Sequence, residues 1–136
     1  MRDALGFGIE SAHAGPFVTV LTLSGPVQVQ NGAREQLRAH LDAPDLASQR
    51  VVVDLTEATL YDSGPFAFLA GERGRFKKAG GEIVVVSGDN RTVGPFVDDK
   101  ALPGLRWFAS LNDALEELLA EVVERAGWPT DLPEKG

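Results

Sequence analysis

The sequence of 136 residues contains no cysteine, which excludes disulfide staples and cysteine-based zinc sites. Its longest apolar segments have the length of strands and fall far short of the roughly 20 residues that cross a bilayer. The first residues do not combine a basic start with an apolar run, so no signal peptide is expected. We therefore predict a soluble, cytoplasmic chain that is stabilised by its hydrophobic core alone.

Positive charge is also scarce. Lys and Arg number 13 against 20 Asp and Glu, which gives a formal net charge of −7. This balance argues against binding to phosphate backbones, because such binding requires clustered cations. The densest basic group is Arg73, Arg75, Lys77 and Lys78, which we interpret as a solvated helix face. Protein partners are favoured, and no binding to nucleic acid or to a membrane is expected.

Recognisable catalytic motifs are missing as well. There is no Walker loop, dinucleotide fingerprint or metal-ligand spacing, and Ser63 does not lie in a G-x-S-x-G elbow. The two histidines, His13 and His40, have no Ser or Cys partner that the local sequence can assign. We expect neither catalysis nor a cofactor.

Four segments have the pattern of strands. Phe17–Leu23 alternates β-branched and apolar residues and ends at Ser24-Gly25-Pro26, which predicts a turn. Continuous apolar runs at Arg50–Leu55 and Glu82–Val86 are typical of strands that are buried on both faces. Leu105–Phe108 fits a short strand.

Helical spacing appears between these strands. Asn31–Leu41 predicts a helix with Asn31 as its N-cap, Ser63–Ala79 a second helix, and Thr92–Lys100 a short helical segment. Ser110–Ala126 is the clearest helix, because Ser110 and Asp113 form a start that resembles a capping box. The apolar stripes of the three long helices are Ala33, Leu37 and Leu41; Phe66, Leu69, Ala70 and Phe76; and Leu111, Ala114, Leu115, Leu118, Leu119 and Val122.

This order predicts a single α/β domain with a four- to five-stranded mixed sheet and helices mainly on one face. The strands at Val51–Leu55 and Ile83–Val86 are expected to be parallel neighbours, joined by the second helix in a right-handed crossover. The domain is predicted to span residues 1–126, with its core at about 17–119. Residues 127–136, rich in Pro and charge, are expected to form a mobile tail.

From about Phe17 to Leu119 the chain resembles the STAS domain, a family of bacterial anti-sigma-factor antagonists and cytoplasmic tails of sulfate transporters. The resemblance rests on VVVDLTEATLYD at Val51–Asp62, the following Ser63, the helix, Gly80-Gly81 and the EIVVV strand, together with LRWFASLNDALEEL. It implies that the chain docks on an anti-sigma factor, often a serine kinase of the Bergerat ATPase fold. In the family, phosphorylation of a serine at the helix start prevents docking, because the phosphate adds negative charge to the docking face.

The sequence departs from the family at that serine. The family loop reads Asp-Ser-Ser-Gly or Asp-Ser-Thr-Gly, whereas this chain has Asp62-Ser63-Gly64-Pro65. Without a gap the phosphoacceptor position falls on Gly64, which has no hydroxyl; with one deletion it falls on Ser63. We favour the ungapped alignment, because the helix and its Gly-Gly stop then fit without adjustment. Ser63 is thus either a helix cap or the phosphoacceptor.

The resemblance places partner binding on the loop and the first turns of the second helix. On a helical wheel Phe68 lies away from the apolar stripe, beside Gly71, so we expect an exposed aromatic that docks on the partner. Packing of Phe68 under a neighbouring loop is the alternative. The predicted partner-binding residues are Tyr61, Asp62, Ser63, Gly64, Phe68 and Arg75.

Two other functions remain open from the sequence. One is a structural or scaffolding STAS protein without a serine switch. The other is a receiver-like domain phosphorylated on Asp54, which follows a buried strand as the acceptor of such domains does. Receivers also need an early acidic pair, and here Phe17–Leu23 leads to Ser-Gly-Pro instead.

Overall fold

A computed structural model describes residues 7–14, 17–27, 32–43, 46, 49–61, 64–92 and 105–126. Within these residues, the elements in chain order are β1 (Gly8–His13), β2 (Val18–Val27), α1 (Ala33–Leu41), β3 (Arg50–Leu60), α2 (Gly64–Lys78), β4 (Glu82–Val86), β5 (Trp107–Phe108) and α3 (Leu111–Ala126). None of the helices in this part of the chain is long and apolar enough to cross a membrane.

The strands form one mixed sheet in the order β1-β2-β3-β4-β5. Strand β1 is antiparallel to β2, and the other three neighbouring pairs are parallel. The predicted pairing of β3 with β4 is confirmed, with Val51 opposite Ile83 and Val53 opposite Val85. The predicted α/β class and mixed sheet are therefore correct.

Alternate side chains of the central strands enter two separate cores. Val51 and Val53 point to the face that α1 and α2 cover, whereas Val52 packs with Ala114 and Leu118 of α3 on the opposite face. All three valines have no exposed surface. This arrangement explains why β3 and β4 read as continuous apolar runs, since a strand covered on both faces has no polar side. Of the three helices in the described residues, α1 and α2 lie on one face, as expected.

Strand β2 continues through the predicted turn at Ser24-Gly25-Pro26 and ends at Val27. Its pairing with β3 shifts in register: Thr22 lies opposite Asp54, but Ser24 lies opposite Glu57. One extra residue of β3 is thereby accommodated in a bulge, which bends the ladder without ending it. The turn prediction was wrong because Gly25 and Pro26 remain part of β2 and stay paired with β3. Among the described residues β1 pairs no further than Ser24, and Pro is tolerated where a strand lies at an edge.

The helix ends differ from the predictions in two places. The N-cap of α1 is Gly32, in the left-handed region with φ 76°, and no side chain caps the helix; the predicted cap, Asn31, lies outside the described residues. At α3 the cap is confirmed, since the Asp113 N–H donates to Ser110 Oγ at 3.1 Å. Leu119, assigned to the buried stripe of α3, is instead 42% exposed.

The sequence analysis missed β1, whose segment GIESAH contains only one large apolar residue. The helix predicted at Thr92–Lys100 lies outside the described residues except for Thr92, which is part of a turn. The predicted tail at 127–136 also lies outside them.

Candidate partner-binding surface

The predicted site lies where two strands extend past the rest of the sheet. Strand β4 ends at Val86, which pairs with Asp54 of β3, but β3 continues to Leu60. The segment Leu55–Leu60 is the overhang of β3, and its last residues pair with Gly25–Val27 of β2. Tyr61 follows the overhang directly, and α2 begins at Gly64. The overhang thus positions the loop that the family resemblance assigns to the partner.

The turn after β4 supports the overhang on the side that β4 leaves open. The Asn90 side-chain amide donates to the carbonyl oxygen of Leu55 at 2.6 Å and to that of Ala58. The Leu60 N–H donates to Thr92 Oγ1 at 3.1 Å. Asn90 Oδ1 in turn accepts from the Thr92 N–H and hydroxyl, at 2.9 Å and 2.7 Å. Two side chains therefore replace the missing strand neighbour. The sequence analysis assigned neither of these roles.

The predicted site residues are spread along α2. Tyr61 is 59% exposed, and Gly64 is the first residue of the helix. Arg75 lies eleven residues further on, about 16 Å along the helix axis, so it is not gathered with the other two. Asp62 and Ser63 lie outside the described residues.

Phe68 is not exposed, so the expectation of an exposed aromatic was wrong, while its part in partner binding stays a prediction. The side chain is 9% exposed and belongs to the core that α1 and α2 share with the sheet. The Arg34 and Arg38 guanidinium carbons lie 5.4 Å and 5.3 Å from the centre of its ring, as in cation–π pairs. The helical-wheel argument failed because it allowed α2 a single buried stripe, whereas α2 also packs against α1.

A small cleft remains beside Phe68, between the first turns of α1 and α2. It has a volume of about 50 Å3 and a largely apolar lining of Val27, Ala33, Arg34, Leu37, Gly64, Pro65 and Phe68. Pro65 lies in the first turn of α2, where a missing N–H costs no helical hydrogen bond. The cleft adjoins the predicted docking loop.

Arg75 connects the two helices. One of its terminal nitrogens lies 2.6 Å from Glu72 Oε1, 3.2 Å from Asp42 Oδ1 and 3.3 Å from the carbonyl oxygen of Leu41. The last contact satisfies a carbonyl at the carboxyl end of α1, where helical carbonyls lack a partner. These contacts give Arg75 a structural role within the chain; its part in partner binding stays a prediction.

The exposed face of α2 is made of small residues. Ala67, Gly71 and Gly74 are all exposed and follow one another at helical spacing. A Cβ added at Gly71 or at Gly74 would meet no atom within 4 Å, and neither glycine has a positive φ. Glycine in a helix interior costs up to about 1 kcal/mol relative to alanine. The described part of the chain therefore offers no packing reason for these two glycines. We call Ala67, Gly71 and Gly74 the flat face of α2.

The basic group on the same helix is paired with carboxylates. Arg73 Nε lies 2.7 Å from Glu82 Oε1, and Lys77 Nζ lies 3.6 Å from Glu82 Oε2. With Arg75 held by Glu72, three of the four cations face an acidic partner within the chain. This pairing agrees with the interpretation of the basic residues as a solvated helix face, since their charges are already matched within the chain.

Nothing in the described residues groups three or more His, Asp or Glu side chains in a way that could hold a metal ion. Asp54 accepts hydrogen bonds from the N–H and the hydroxyl of Thr56, at 3.0 Å and 2.6 Å. Its carboxylate thereby stabilises the bulged part of β3.

No family model matches the sequence, and no curated protein matches it significantly. Solved structures do share its fold. The anti-sigma factor antagonist SpoIIAA in its unphosphorylated form superposes with a TM-score of 0.63 at 14% identity, covering 83% of this chain and 97% of that one. An anti-sigma factor antagonist from Mycobacterium paratuberculosis gives a TM-score of 0.61 at 23% identity, covering 87% and 98%.

The Bacillus cell fate determinant SpoIIAA in its phosphorylated form gives a TM-score of 0.58 at 13% identity, covering 81% of this chain and 98% of that one. At these identities the likeness establishes the fold. The chain has the STAS fold seen in anti-sigma factor antagonists, as the sequence resemblance predicted.

Proposed function

Because the chain has the fold of anti-sigma factor antagonists, we propose that it is a cytoplasmic signalling module that binds a protein and catalyses no reaction. The proposed partner is an anti-sigma factor or a serine kinase of the Bergerat ATPase fold. The observation that carries the proposal is the flat face of α2, which has two glycines that packing within the described chain does not explain.

The flat face suits close contact with another backbone. Since glycine has no side chain beyond its α-carbon, a partner segment can approach the helix more closely than at any other residue. Exposed Tyr61 lies just before the helix and supplies the kind of aromatic side chain that is enriched at binding hot spots. A partner that binds the folded chain would stabilise it and so offset the free energy of unfolding that the two glycines cost the free protein. We propose that the flat face and Tyr61, with Asp62, Ser63 and Gly64 between them, contact the partner.

Filling the flat face tests this proposal. Gly71→Leu and Gly74→Leu should each weaken binding to a Bergerat-fold anti-sigma factor by at least about tenfold, because a leucine side chain prevents close approach. Isothermal titration calorimetry against a panel of such factors from the source genome measures the loss. Ala120→Leu places the same side chain at an exposed position of α3, on the other side of the sheet, and should bind as the parent does.

Circular dichroism melts of all three variants show whether they are folded. Wild-type affinity of both glycine variants for a factor that binds the parent would exclude the flat face. Failure of the parent to bind any factor in the panel would contradict the proposed class of partner.

We further propose that this binding is not switched by phosphorylation at the usual position. The ungapped alignment puts Gly64 at the acceptor position, and Gly64 is the first residue of α2. Pro65 also removes one N–H from the helix start, where N–H groups could otherwise bind a phosphate. Glycine at the acceptor position, followed by proline, favours a module that binds its partner constitutively, or a scaffolding STAS protein, over a phospho-switched antagonist.

Intact-mass measurement after incubation with the partner kinase and ATP tests the absence of the switch. We expect no stoichiometric phosphate. A full addition of one phosphate that disappears in Ser63→Ala would show that the loop carries a deletion and that Ser63 is the acceptor.

A further inference from the structure

Two arginines of α1 lie over the ring of Phe68, beside the flat face of α2. The Arg34 and Arg38 guanidinium carbons lie 5.4 Å and 5.3 Å from the centre of that ring, and both arginines are exposed. Gly71 follows Phe68 by three residues in α2, and residues at this spacing adjoin on a helix surface. The two cations therefore border the flat face. We call Arg34 and Arg38 the arginine pair.

The arginine pair has no acidic partner within the described part of the chain. Other arginines do: Arg73, Arg75 and Arg106 each form an ion pair with an aspartate or a glutamate. None of the ion pairs among the described residues includes a member of the arginine pair. In a chain with 20 acidic and 13 basic residues, two exposed cations are thus left without a counter-charge in this part of the structure.

Phe68 orders the arginine pair without using its hydrogen-bond donors. A guanidinium over an aromatic ring contacts it through its π surface, so the N–H groups at its edge stay open to an acceptor. The ring is itself fixed, since Phe68 is 9% exposed and belongs to the core. An arginine that is already ordered loses less conformational entropy when it binds a carboxylate. The arginine pair is therefore prepared for an anionic group.

Protein carboxylates suit this surface better than the phosphates of a nucleic acid. Phosphate backbones bind to clusters of many cations, whereas Arg75, further along α2, is already held by Glu72 and Asp42. The small residues of the flat face let a polypeptide backbone approach beside the arginine pair. Because the chain has a formal net charge of −7, like-charge repulsion would also restrict an acidic segment to this place.

From these observations we infer that the partner presents an acidic segment. The segment lies along the flat face of α2, and its Asp or Glu side chains pair with Arg34 and Arg38. The inference rests on the proposed function, since it gives the chemistry of the segment that the proposed partner supplies.

Charge variants test the inference on a factor that binds the parent. Between about 50 mM and about 300 mM NaCl the affinity of the parent should fall by at least about threefold, because salt screens exposed charges. Arg34→Gln combined with Arg38→Gln should weaken binding at low salt by at least about tenfold and remove most of the salt dependence. Arg34→Lys combined with Arg38→Lys keeps both charges and should lose less than about threefold.

A matched control changes the net charge equally on the other side of the sheet. Asn112→Asp combined with Ala120→Glu adds two negative charges at exposed positions of α3 and should bind as the parent does. Circular dichroism melts show whether each variant is folded. Undiminished binding by the folded glutamine variant would overturn the inference and leave the proposed class of partner intact. Equal losses in the glutamine and lysine variants would also overturn it, because charge would then not matter.

A pair of peptides tests the surface without any factor. The peptides Glu-Asp-Leu-Glu-Asp-Leu and Gln-Asn-Leu-Gln-Asn-Leu differ only in their carboxylates. In 1H–15N spectra of the full chain, the acidic peptide at roughly millimolar concentration should shift the Nε–H signals of Arg34 and Arg38 and the amide signals of the flat face. The amide peptide should not shift them.

The peptides also separate the inference from the proposed function. These shifts, together with failure of every factor in the panel to bind, would support the acidic segment and contradict the proposed class of partner. Equal effects of the two peptides, or shifts confined to another surface, would overturn the inference. Tighter binding of a short oligothymidylate at the same two arginines would overturn it in favour of a nucleic acid.

Discussion

Arg73 and Glu82 bind each other through two parallel hydrogen bonds across the turn between α2 and β4. Arg73 Nε lies 2.7 Å from Glu82 Oε1, and Arg73 Nη2 lies 3.1 Å from Glu82 Oε2. The Glu82 side chain is nearly buried and also accepts the Ile83 N–H at 2.9 Å. Arg106 lies 3.3 Å from the same carboxylate. One buried carboxylate thus connects α2, β4 and the segment before β5.

This pairing makes stability depend on pH in the acid range. Burial raises the pKa of Glu82, but the hydrogen bonds from Arg73 and from the Ile83 N–H, with the charges of Arg73 and Lys77, outweigh it and hold the pKa below its ordinary value of 4.5. A carboxyl whose folded pKa is depressed contributes stability above its unfolded pKa and loses it as pH falls through the folded pKa. The free energy of unfolding should therefore decrease below about pH 4.5.

The variant Glu82→Gln tests this prediction. At pH 7 it should lower the free energy of unfolding by about 2–3 kcal/mol, because the partly exposed Arg73 and Arg106 lose the buried carboxylate that pairs with them. Below pH 4.5 the free energy of unfolding of Glu82→Gln should also change less with pH than that of the parent. Urea denaturation at each pH measures both. Glu72→Gln, which affects the more exposed pair with Arg75, should cost less than about 1 kcal/mol. Identical acid profiles for the parent and Glu82→Gln would refute the role of this carboxylate.

The burial of Phe68 predicts a loss of stability on truncation. Phe68→Ala removes a ring from the contact between α1 and α2, and the free energy of unfolding should fall by about 2–4 kcal/mol. Tyr61→Ala, at an exposed position, should change it by less than about 0.5 kcal/mol. Urea denaturation separates the two residues. An unchanged midpoint for Phe68→Ala would mean that the ring contributes little to the core.

The flat face predicts the opposite effect for two substitutions. Gly71→Ala and Gly74→Ala should each stabilise the free protein by about 0.5–1 kcal/mol, because alanine loses less backbone entropy in a helix and has open space at both positions. The combined variant should show nearly the sum. Thermal or urea denaturation gives the answer without any partner. Destabilisation by either alanine would show that the glycine is required for the fold.

Gly88 provides a contrast among the glycines in turns. It has φ 58°, and an added Cβ would lie 2.6 Å from Thr56 Oγ1, whereas Gly80 has φ 94° with nothing within 4 Å. Gly88→Ala should therefore destabilise the protein by about 2–3 kcal/mol, from backbone strain together with the clash. Gly80→Ala should cost only the strain, about 1 kcal/mol. In a chain that already carries Thr56→Ala, Gly88→Ala should cost less than it does in the parent, because the side chain that the new Cβ would meet is gone. Equal costs at the two glycines would contradict the close approach of Gly88 to β3.

Local patterns were sufficient for most elements of the fold. The runs at Arg50–Leu55 and Glu82–Val86 indicated strands covered on both faces, and Ser110 indicated the start of α3, because these signals depend on neighbours in sequence. Strand β1 was missed, since an edge strand buries little and needs few apolar residues. The end of β2 was misplaced because Gly25-Pro26 is typical of a turn, whereas the pairing with β3 continues the strand to Val27.

The sequence by itself determined the α/β class and the parallel pairing of β3 and β4, since periodicity and apolar runs record which faces are covered. Only the tertiary structure decided the chemistry of the surface. It buried Phe68 because α1 packs against α2, and it left Gly71 and Gly74 open because nothing described covers them. Such outcomes depend on contacts between residues distant in sequence, which no local pattern specifies.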